Sequence, residues 1–364
     1  MYNGLASRGH EIHLFTFRDP VLEKTQEPHA LDALHPTILP RELKWSPLRL
    51  AQVLRTALDR IRPDIWHAHI AIPYGVAAAA VRRHPFLLTT HGSDVYLGAW
   101  LQKSIRLRDA LTPVGARIVF RALHAGLAAS VDRVVVYSPD MLAVLPRLGY
   151  APGKLVPCYL GIDTERFRPA IRSSASEDAI QLVCTRHLEP IYDHPTLLEA
   201  VARLRAEGLR VRLVLAGAGT SRSSLEDLSR RLGIAEAVEF LGAVPQARLP
   251  ALLASSDVLV SASRSDTTAM SVLEGMACGL PVVATAVGSL PMRVEDGVSG
   301  FLFPPGDVTR LTTHLRRLAT DTDLRKRMGK ANGERASREF DLRTTVVQLE
   351  EAYFEAGRLD HSAH

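Results

Sequence analysis

The sequence predicts an α/β fold built from two domains, each with a parallel sheet covered by helices on both faces. A chain of 364 residues is too long for one ordinary hydrophobic core. Short runs of apolar and β-branched residues alternate with helical patterns along it, as in βα repeats. A polar segment without a period, at 168–178, interrupts this alternation, which then starts again. We therefore predict two domains of βα repeats joined by a linker.

The individual elements follow from these patterns. In the first run, strands are predicted at 11–17, 64–67, 86–90, 133–137 and 154–157, with helices at 47–61, 74–83 and 139–148. In the second run, strands are predicted at 180–185, 211–215, 238–241, 258–260 and 282–284, with helices between the first three. The predicted bounds are 1–168 for the first domain, 169–178 for the linker and 179–340 for the second domain. We expect a helix in 341–364 that packs back toward the first domain.

The composition is that of an ordinary soluble globular protein, with 46% hydrophobic and 23% charged residues. Cys158, Cys184 and Cys278 are odd in number, far apart and in apolar surroundings, which indicates buried thiols in a reducing compartment. The longest apolar stretch, 70–81, is shorter than the roughly 20 residues that a bilayer span needs. With no signal-peptide series at the start, we expect a cytoplasmic protein that does not span the membrane.

Charge is distributed unevenly along the chain. Residues 1–160 carry a net charge of +7 and the remainder −2, which together give the +5 of the whole chain. A basic first half suits phosphorylated ligands, anionic lipid head groups or nucleic acid. No helix-turn-helix, zinc or aromatic RNA-binding signature accompanies the charge, so we predict no nucleic-acid partner.

Candidate ligand-binding residues follow predicted strands, because ligands of such sheets bind beyond the carboxyl ends of the strands. Gly217 and Gly219 follow the strand 211–215 and would let the backbone approach a phosphate, although a plain tight turn explains them equally well. Arg186 follows the strand 180–185 and could fork onto a phosphate or form a surface ion pair. His91 follows the strand 86–90 and could bind a ligand or cap the turn. His67 and His69 alone make a poor metal site, and no metal is predicted.

Two acids stand near each other in the stretch 265–285. Asp266 lies beside Thr267 and Thr268, which favour loops and helix caps. Glu274 lies eight residues later, inside a predicted helix that ends at Gly279 before a buried strand. The pattern places one acid at the mouth of a helix and the other two turns into it.

The region 257–300 resembles the donor-binding half of the retaining glycosyltransferases of family 4, which have the GT-B architecture of two Rossmann-like domains facing across a cleft. The family pattern is an acid, seven residues, and then EAMAxGxPVV. Here Asp266 is followed by seven residues and by EGMACGLPVV at 274–283. Further motifs of the family are PDIWHAH at 63–69, THGSD at 90–94, GIDTERFRP at 161–169, FLGAV at 240–244 and EDGVSGFL at 295–302. The resemblance covers nearly the whole chain.

The resemblance implies an enzyme that moves a sugar from a nucleotide-sugar to a polysaccharide, lipid-linked or small-molecule acceptor with retention of configuration, and without a metal or another cofactor. Glu274 would bind the ribose hydroxyls and Asp266 the hydroxyls of the transferred sugar. Arg186 would stabilise the departing diphosphate, and His91 would contact the donor sugar or the leaving group. The remaining implied donor-binding residues are Gly217, Gly219, Val244, Thr267, Thr268, Ala269 and Tyr192.

The chain departs from the family pattern at three places in the predicted second domain. The first acid is Asp266 instead of the usual glutamate, and residues 267–269 replace a Gly-aromatic-Gly sequence. Tyr192 stands where the family usually has a lysine on the diphosphate. A non-catalytic nucleotide-sugar-binding or scaffold protein is therefore the alternative hypothesis, and a nucleotide-sugar 2-epimerase is a more distant one.

The start of the chain also departs from the family. Members open with a strand and a Gly-rich loop before the helix that ends here near Gly9. We expect the first domain to lack its usual N-terminal strand, and roughly 20–30 residues upstream of Met1 to supply it.

A basic segment of the first domain suggests a peripheral contact with anionic membrane at the inner face. Arg117, Arg121 and His124 have a spacing that places them on one face of a helix, with Ile118, Val119 and Leu123 flanking it. Lys103, Arg106 and Arg108 precede it. A solvated basic face is the alternative interpretation.

Overall fold

The computed structural model describes residues 2–17, 33–40, 42–43, 46–92, 94–96, 112–169 and 179–361. The chain divides into two compact units. The first unit contains Met1–Tyr159 and Arg343–His364, and the second contains Leu160–Leu342. The predicted linker 169–178 lies outside the described residues except for Pro169. The prediction for Lys103, Arg106 and Arg108 lies outside them as well.

The described residues of the first unit form two parallel sheets. Strands β1 (Ile12–Phe17) and β2 (Leu34–Leu39) form one of them. The other has the order β3-β4-β5-β6 and consists of Trp66–His69, Phe86–Thr90, Arg133–Val136 and Leu155–Pro157. Strand β4 is buried along its whole length, as expected of a strand covered on both faces. The carboxyl end of β4 leads into His91.

The helices of the first unit follow from local sequence signals. Among the described residues before Tyr159 they are α1 (Tyr2–Ala6), α2 (Pro47–Ile61), α3 (Val76–Val81), α4 (Pro113–Ser130) and α5 (Pro139–Val144). Helix α2 has proline in its first turn and buries Leu50, Leu54 and Leu58, which recur every four residues on one face. Helix α4 starts where the Thr112 side chain accepts a hydrogen bond from the Gly115 N–H at 3.1 Å.

The second unit contains one six-stranded parallel sheet with the order β12-β11-β10-β7-β8-β9. Its strands β7–β12 are Ile180–Cys184, Val211–Leu215, Val238–Phe240, Val258–Ser261, Val282–Thr285 and Gly300–Phe303. Strands β7 and β10 are neighbours at the centre of the sheet. Strands β8 and β9 follow on the side of β7, and β11 and β12 follow on the side of β10. This topological switch point is where the carboxyl ends of strands leave a crevice for a ligand.

Helices cover both faces of this sheet. They are α6 (His194–Ala206), α7 (Arg222–Arg231), α8 (Leu249–Ala254), α9 (Met270–Ala277), α10 (Leu290–Arg293), α11 (Val308–Thr320) and α12 (Thr322–Glu339). Adjacent residues of β7 pack into different hydrophobic clusters, one on each face of the sheet. Leu182 packs in the cluster with Leu197 of α6, and Val183 packs in the cluster with Leu273 of α9. The alternation fixes β7 between two packed layers.

The last helix, α13 (Leu342–His361), belongs to the first unit from Arg343 onward. The Thr345 hydroxyl donates to the carbonyl of Tyr159 at 3.1 Å. Glu350 accepts hydrogen bonds from Arg8 at 2.5 Å and from His10 at 2.7 Å. No helix within the described ranges is long and apolar enough to cross a bilayer.

The predicted α/β class is confirmed, with differences in single elements. Strand β2 was not predicted, because Pro36 interrupts its pattern and its four inner residues are exposed. Strand β3 begins at Trp66, two residues later than predicted, where its pairing with Phe86 starts. Strand β12, also absent from the prediction, pairs with β11 from Gly300 to Phe303.

Candidate functional site

Arg186 lies at the switch point of the second sheet, two residues beyond β7. Its side chain is only 12% exposed and forms an ion pair with Asp266, which follows the neighbouring strand β10. Its guanidinium also lies 5.3 Å from the ring centre of Tyr192, a cation–π contact. Its Nε has no hydrogen-bond partner among the described residues. Burial lowers the pKa of Arg186, but the side chain stays a cation because arginine loses its proton only far above neutral pH.

Asp266 is held from two sides. Its Oδ1 accepts a hydrogen bond from the Ala269 N–H at 2.9 Å, while Oδ2 pairs with Arg186. Its main-chain carbonyl accepts from Ser289 at 3.0 Å. A Cβ on Gly288 would lie 1.8 Å from that carbonyl oxygen, so only glycine fits there. The loop after β11 therefore fixes the acid that pairs with Arg186.

Helix α9 begins directly after this acid. Ala269 has φ 47, a left-handed conformation that glycine adopts more easily, and it stands where the family pattern has glycine. Thr267 and Thr268 are half-buried in the same turn. The first N–H groups of a helix have no partner within the helix, so this end of α9 can bind an anion.

Glu274 lies in the second turn of α9 and is 8% exposed. Burial raises its pKa to about 7, and the positive charges of Arg186 and Arg166 act against this rise. Arg186, Asp266 and Glu274 thus form one buried group of opposite charges. Arg166 belongs to the motif at 161–169, but its nearness to Glu274 was not foreseen from the sequence.

Gly217 and Gly219 follow β8, next to β7 in the sheet. A Cβ on Gly217 would lie 2.0 Å from the Arg186 carbonyl oxygen, and one on Gly219 would lie 2.3 Å from that of Leu188. The two glycines are therefore needed where the loops after β7 and β8 touch. Through this contact they help to place Arg186.

Val244 does not follow a strand next to those that carry Arg186 and Asp266. It is half-buried in the loop after β9, the edge strand, and β9 lies two strands from β7. At the usual spacing of parallel strands this is about 10 Å.

His91 belongs to the first unit, where Asp94 fixes its backbone. The Asp94 carboxylate accepts hydrogen bonds from the His91 N–H at 2.9 Å and from the Ala71 N–H at 2.5 Å. Nε2 of the buried His124 donates to the Asp94 carbonyl at 2.9 Å, and its Nδ1 accepts from Tyr150 at 3.0 Å. The turn after β4 is therefore tied to the segment after β3 and to α4.

A row of hydrogen bonds reaches the His91 ring. The Tyr2 hydroxyl lies 2.8 Å from His69 Nε2, and His69 Nδ1 lies 3.3 Å from His91 Nε2. Burial is the main cause that holds the pKa of His69 well below its usual value, so its ring is neutral at pH 7. A neutral imidazole donates from one nitrogen and accepts at the other. If His69 accepts the hydrogen bond from Tyr2, it must therefore donate to His91, and if it donates to Tyr2 it must accept from His91.

The prediction that His124 lies on an exposed basic face is wrong. His124 is fully buried, because its ring fills the contact with Asp94 and Tyr150. Arg117 and Arg121 are exposed as predicted, and Ile118 between them is 63% exposed.

Family models match both halves of the chain. The one described as "Glycosyltransferase Family 4" matches residues 1–166, and "Glycosyl transferases group 1" matches residues 167–335. A D-inositol 3-phosphate glycosyltransferase of Thermobispora bispora is 30% identical over 97% of this chain and 87% of that protein. The chain belongs to glycosyltransferase family 4. Membership makes it a glycosyltransferase, as the sequence motifs predicted.

The chain is also similar to a second curated protein and to a solved structure. An N-acetyl-α-D-glucosaminyl L-malate synthase of Bacillus anthracis is 26% identical over 98% of this chain and 92% of its own length. A protein of Anabaena, crystallised in complex with UDP-glucose, superposes with a TM-score of 0.79 at 22% identity, over 97% of this chain and 94% of that one. The GT-B fold of this family 4 enzyme is thereby confirmed. Some other relatives named D-inositol 3-phosphate glycosyltransferase match over little more than half of their length, 57% in one case.

Proposed function

We propose that the chain transfers a sugar from a nucleotide-sugar to an acceptor hydroxyl with retention of anomeric configuration. The observation that carries this proposal is the buried group of Arg186, Asp266 and Glu274 at the switch point of the second sheet. Buried charges of this kind are unfavourable for stability and concentrate at functional sites. The complex of the Anabaena protein with UDP-glucose supports the same class of donor.

In this proposal Glu274 binds the ribose. An ionised carboxylate has two oxygens and can accept hydrogen bonds from both hydroxyls of a vicinal diol. Its raised pKa means that the charge is poorly solvated inside the protein. Two hydroxyl donors supply the missing hydrogen bonds, so ribose binding and ionisation of Glu274 favour each other.

Arg186 and the N-terminal end of α9 bind the diphosphate. The guanidinium Nε is buried without a hydrogen-bond partner among the described residues, so a phosphate oxygen would satisfy it. Asp266 keeps Arg186 in place, and its carboxylate becomes available to the sugar hydroxyls when the diphosphate takes over the cation. Tyr192 lies against Arg186 and stands where the family has a second cation.

The reaction then needs one bond made and one broken at the anomeric carbon. The acceptor oxygen attacks on the face from which the diphosphate leaves, and a diphosphate oxygen accepts the proton of the acceptor. Arg186 stabilises the negative charge that develops on the leaving group. We propose that no metal ion is needed, and that His91 contacts the donor sugar or the leaving group.

For the acceptor we propose an anion or a lipid-linked molecule. The names of two relatives contain L-malate and D-inositol 3-phosphate, which are both anions. The net charge of +7 over residues 1–160 favours such acceptors by attraction. Exposed Val114 and Ile118, beside Arg117 and Arg121 on α4, also suit contact with an anionic membrane surface.

The alternative is a binding protein without turnover, favoured by the missing second cation at Tyr192. Calorimetric titration with UDP-glucose and other nucleotide-sugars, alongside an assay of nucleoside diphosphate release, separates the two functions. The enzyme releases nucleoside diphosphate, chelator does not stop it, and Arg186→Gln abolishes it. Tight binding with no release for any donor, with or without candidate acceptors, would favour the binding protein. Arg203→Gln, the same change at an exposed arginine of α6, is the control.

A further inference from the structure

Three side chains that commonly bind transition metals meet on one face of the two-stranded sheet in the first unit. Glu11 directly precedes β1, His13 is the second residue of β1, and His35 is the second residue of β2. Side chains alternate between faces along a strand, so Glu11 and His13 share a face. His13 and His35 are register partners in the parallel pair, which puts His35 on that face as well.

The ligand atoms of these residues are close together. Nε2 of His13 lies 3.0 Å from Oε1 of Glu11, and Nε2 of His35 lies 3.5 Å from the same oxygen. The two imidazole centres are 4.8 Å apart. One ligand atom from each residue lies within 4.8 Å of the other two. A single carboxylate oxygen thus faces two imidazole nitrogens.

The two separations from Glu11 are compatible with the coordination shell of a zinc ion bound at the surface, since all three side chains are exposed. Bonds of about 2.0–2.1 Å in a tetrahedron place neighbouring ligand atoms roughly 3.3 Å apart. The two separations from Glu11, 3.0 and 3.5 Å, lie on either side of that value. Two imidazoles with one carboxylate suit zinc and similar transition metals, whereas magnesium and calcium prefer oxygen ligands alone.

We propose that Glu11, His13 and His35 bind one Zn²⁺ ion, with water at the fourth position. The ion would link the start of β1 to the start of β2, two segments joined by a stretch of chain that lies mostly outside the described residues. The site is at the amino ends of these strands, whereas substrates of α/β sheets bind at the carboxyl ends. The metal is therefore a structural link that takes no part in sugar transfer, and it does not depend on the proposed function.

The test uses the full chain without an affinity tag, freed of metal by a chelator and titrated with ZnCl₂ in a calorimeter. We expect one ion per chain. His13→Gln and His35→Gln should each weaken binding by roughly tenfold or more, since loss of even an outer-shell partner commonly has an effect of about that size. His84→Gln should leave it unchanged, because His84 pairs with Asp132 at 2.7 Å in an exposed pair outside this cluster.

A spectroscopic measurement shows whether the ligands are the proposed ones. Co²⁺ should give the visible absorption of a four-coordinate ion in the wild type and lose it in both histidine variants. Zn²⁺ should raise the melting temperature of the wild type and of His84→Gln, but not of His13→Gln. Absence of saturable Zn²⁺ binding, or binding as strong as that of the wild type in either His13→Gln or His35→Gln, would overturn the proposal.

Discussion

Replacing Glu274 by glutamine should stabilise the free protein at alkaline pH while weakening nucleotide binding. The folded-state pKa of Glu274 is raised to about 7 from an ordinary value of 4.5. A carboxyl group with a raised folded-state pKa contributes full stability below its unfolded value, and this stability falls as pH rises toward the folded value. Glutamine does not ionise, so the variant avoids this loss.

The expected size follows from the shift. A difference of roughly 2.5 pH units at ~1.4 kcal/mol per unit gives about 3 kcal/mol in full. Between pH 5 and pH 8 the stability of the variant relative to the wild type should therefore increase by about 2–3 kcal/mol. In a unit of this size each kcal/mol shifts the melting temperature by about 2–4 °C. Glu334→Gln, the same change at an acid that is 62% exposed, should show no such trend.

Glu274→Gln should bind nucleotide more weakly than the wild type, although the free variant is the more stable protein at alkaline pH. Loss of hydrogen bonds to an ionised group weakens binding by about 1.5–3 kcal/mol, or roughly 10- to 150-fold. Wild-type affinity for UDP-glucose should also fall as pH drops below 7, because protonated Glu274 accepts hydrogen bonds less well. Scanning calorimetry and titration calorimetry at pH 5 and 8 measure both effects. A pH-independent stability difference would show that the pKa of Glu274 is not raised by folding. Undiminished nucleotide affinity in Glu274→Gln would show that its carboxylate does not bind the nucleotide.

Three further variants test other parts of the site. Tyr192→Lys should raise UDP affinity roughly tenfold by adding a cation near Arg186, and unchanged affinity in titration would place residue 192 away from the diphosphate. His69→Asn, whose side-chain amide takes the place of Nδ1 beside His91, should keep more turnover at saturating donor than His69→Gln. Equal loss in both would exclude a role of His69 in orienting His91. Ile118→Glu should reduce salt-sensitive sedimentation with anionic vesicles, and no salt-sensitive binding of the wild type would exclude the membrane contact.

Much of the fold could be predicted because local patterns determined it. Helix α2 at Pro47–Ile61 and strand β8 at Val211–Leu215 have the predicted bounds, since an amphipathic period and a compact apolar run are visible in the sequence. Strand β2 could not be predicted in this way, because most of its side chains are exposed and Pro36 lies within it. Its place depends on backbone pairing with β1.

In the site, too, contacts between residues distant in sequence could not be predicted. Asp266 and Glu274 could be singled out because they share one motif, but the ion pair between Asp266 and Arg186 depends on the strand order that makes β10 and β7 neighbours. The error at His124 has a similar origin. A spacing of seven residues repeats the angle around a helix but moves about 10 Å along it. At that height Tyr150 and Asp94 cover the ring.

The anomeric configuration of the first-formed product shows whether the sugar is transferred with retention. UDP-glucose carries an α-linked sugar, and a proton NMR time course with wild-type protein and an accepted hydroxyl compound follows the new anomeric signal together with UDP release. We expect an α-configured product, formed by the wild type and by Glu334→Gln but not by Arg186→Gln. A β-configured product, or the same α-product formed undiminished by Arg186→Gln, would contradict this expectation.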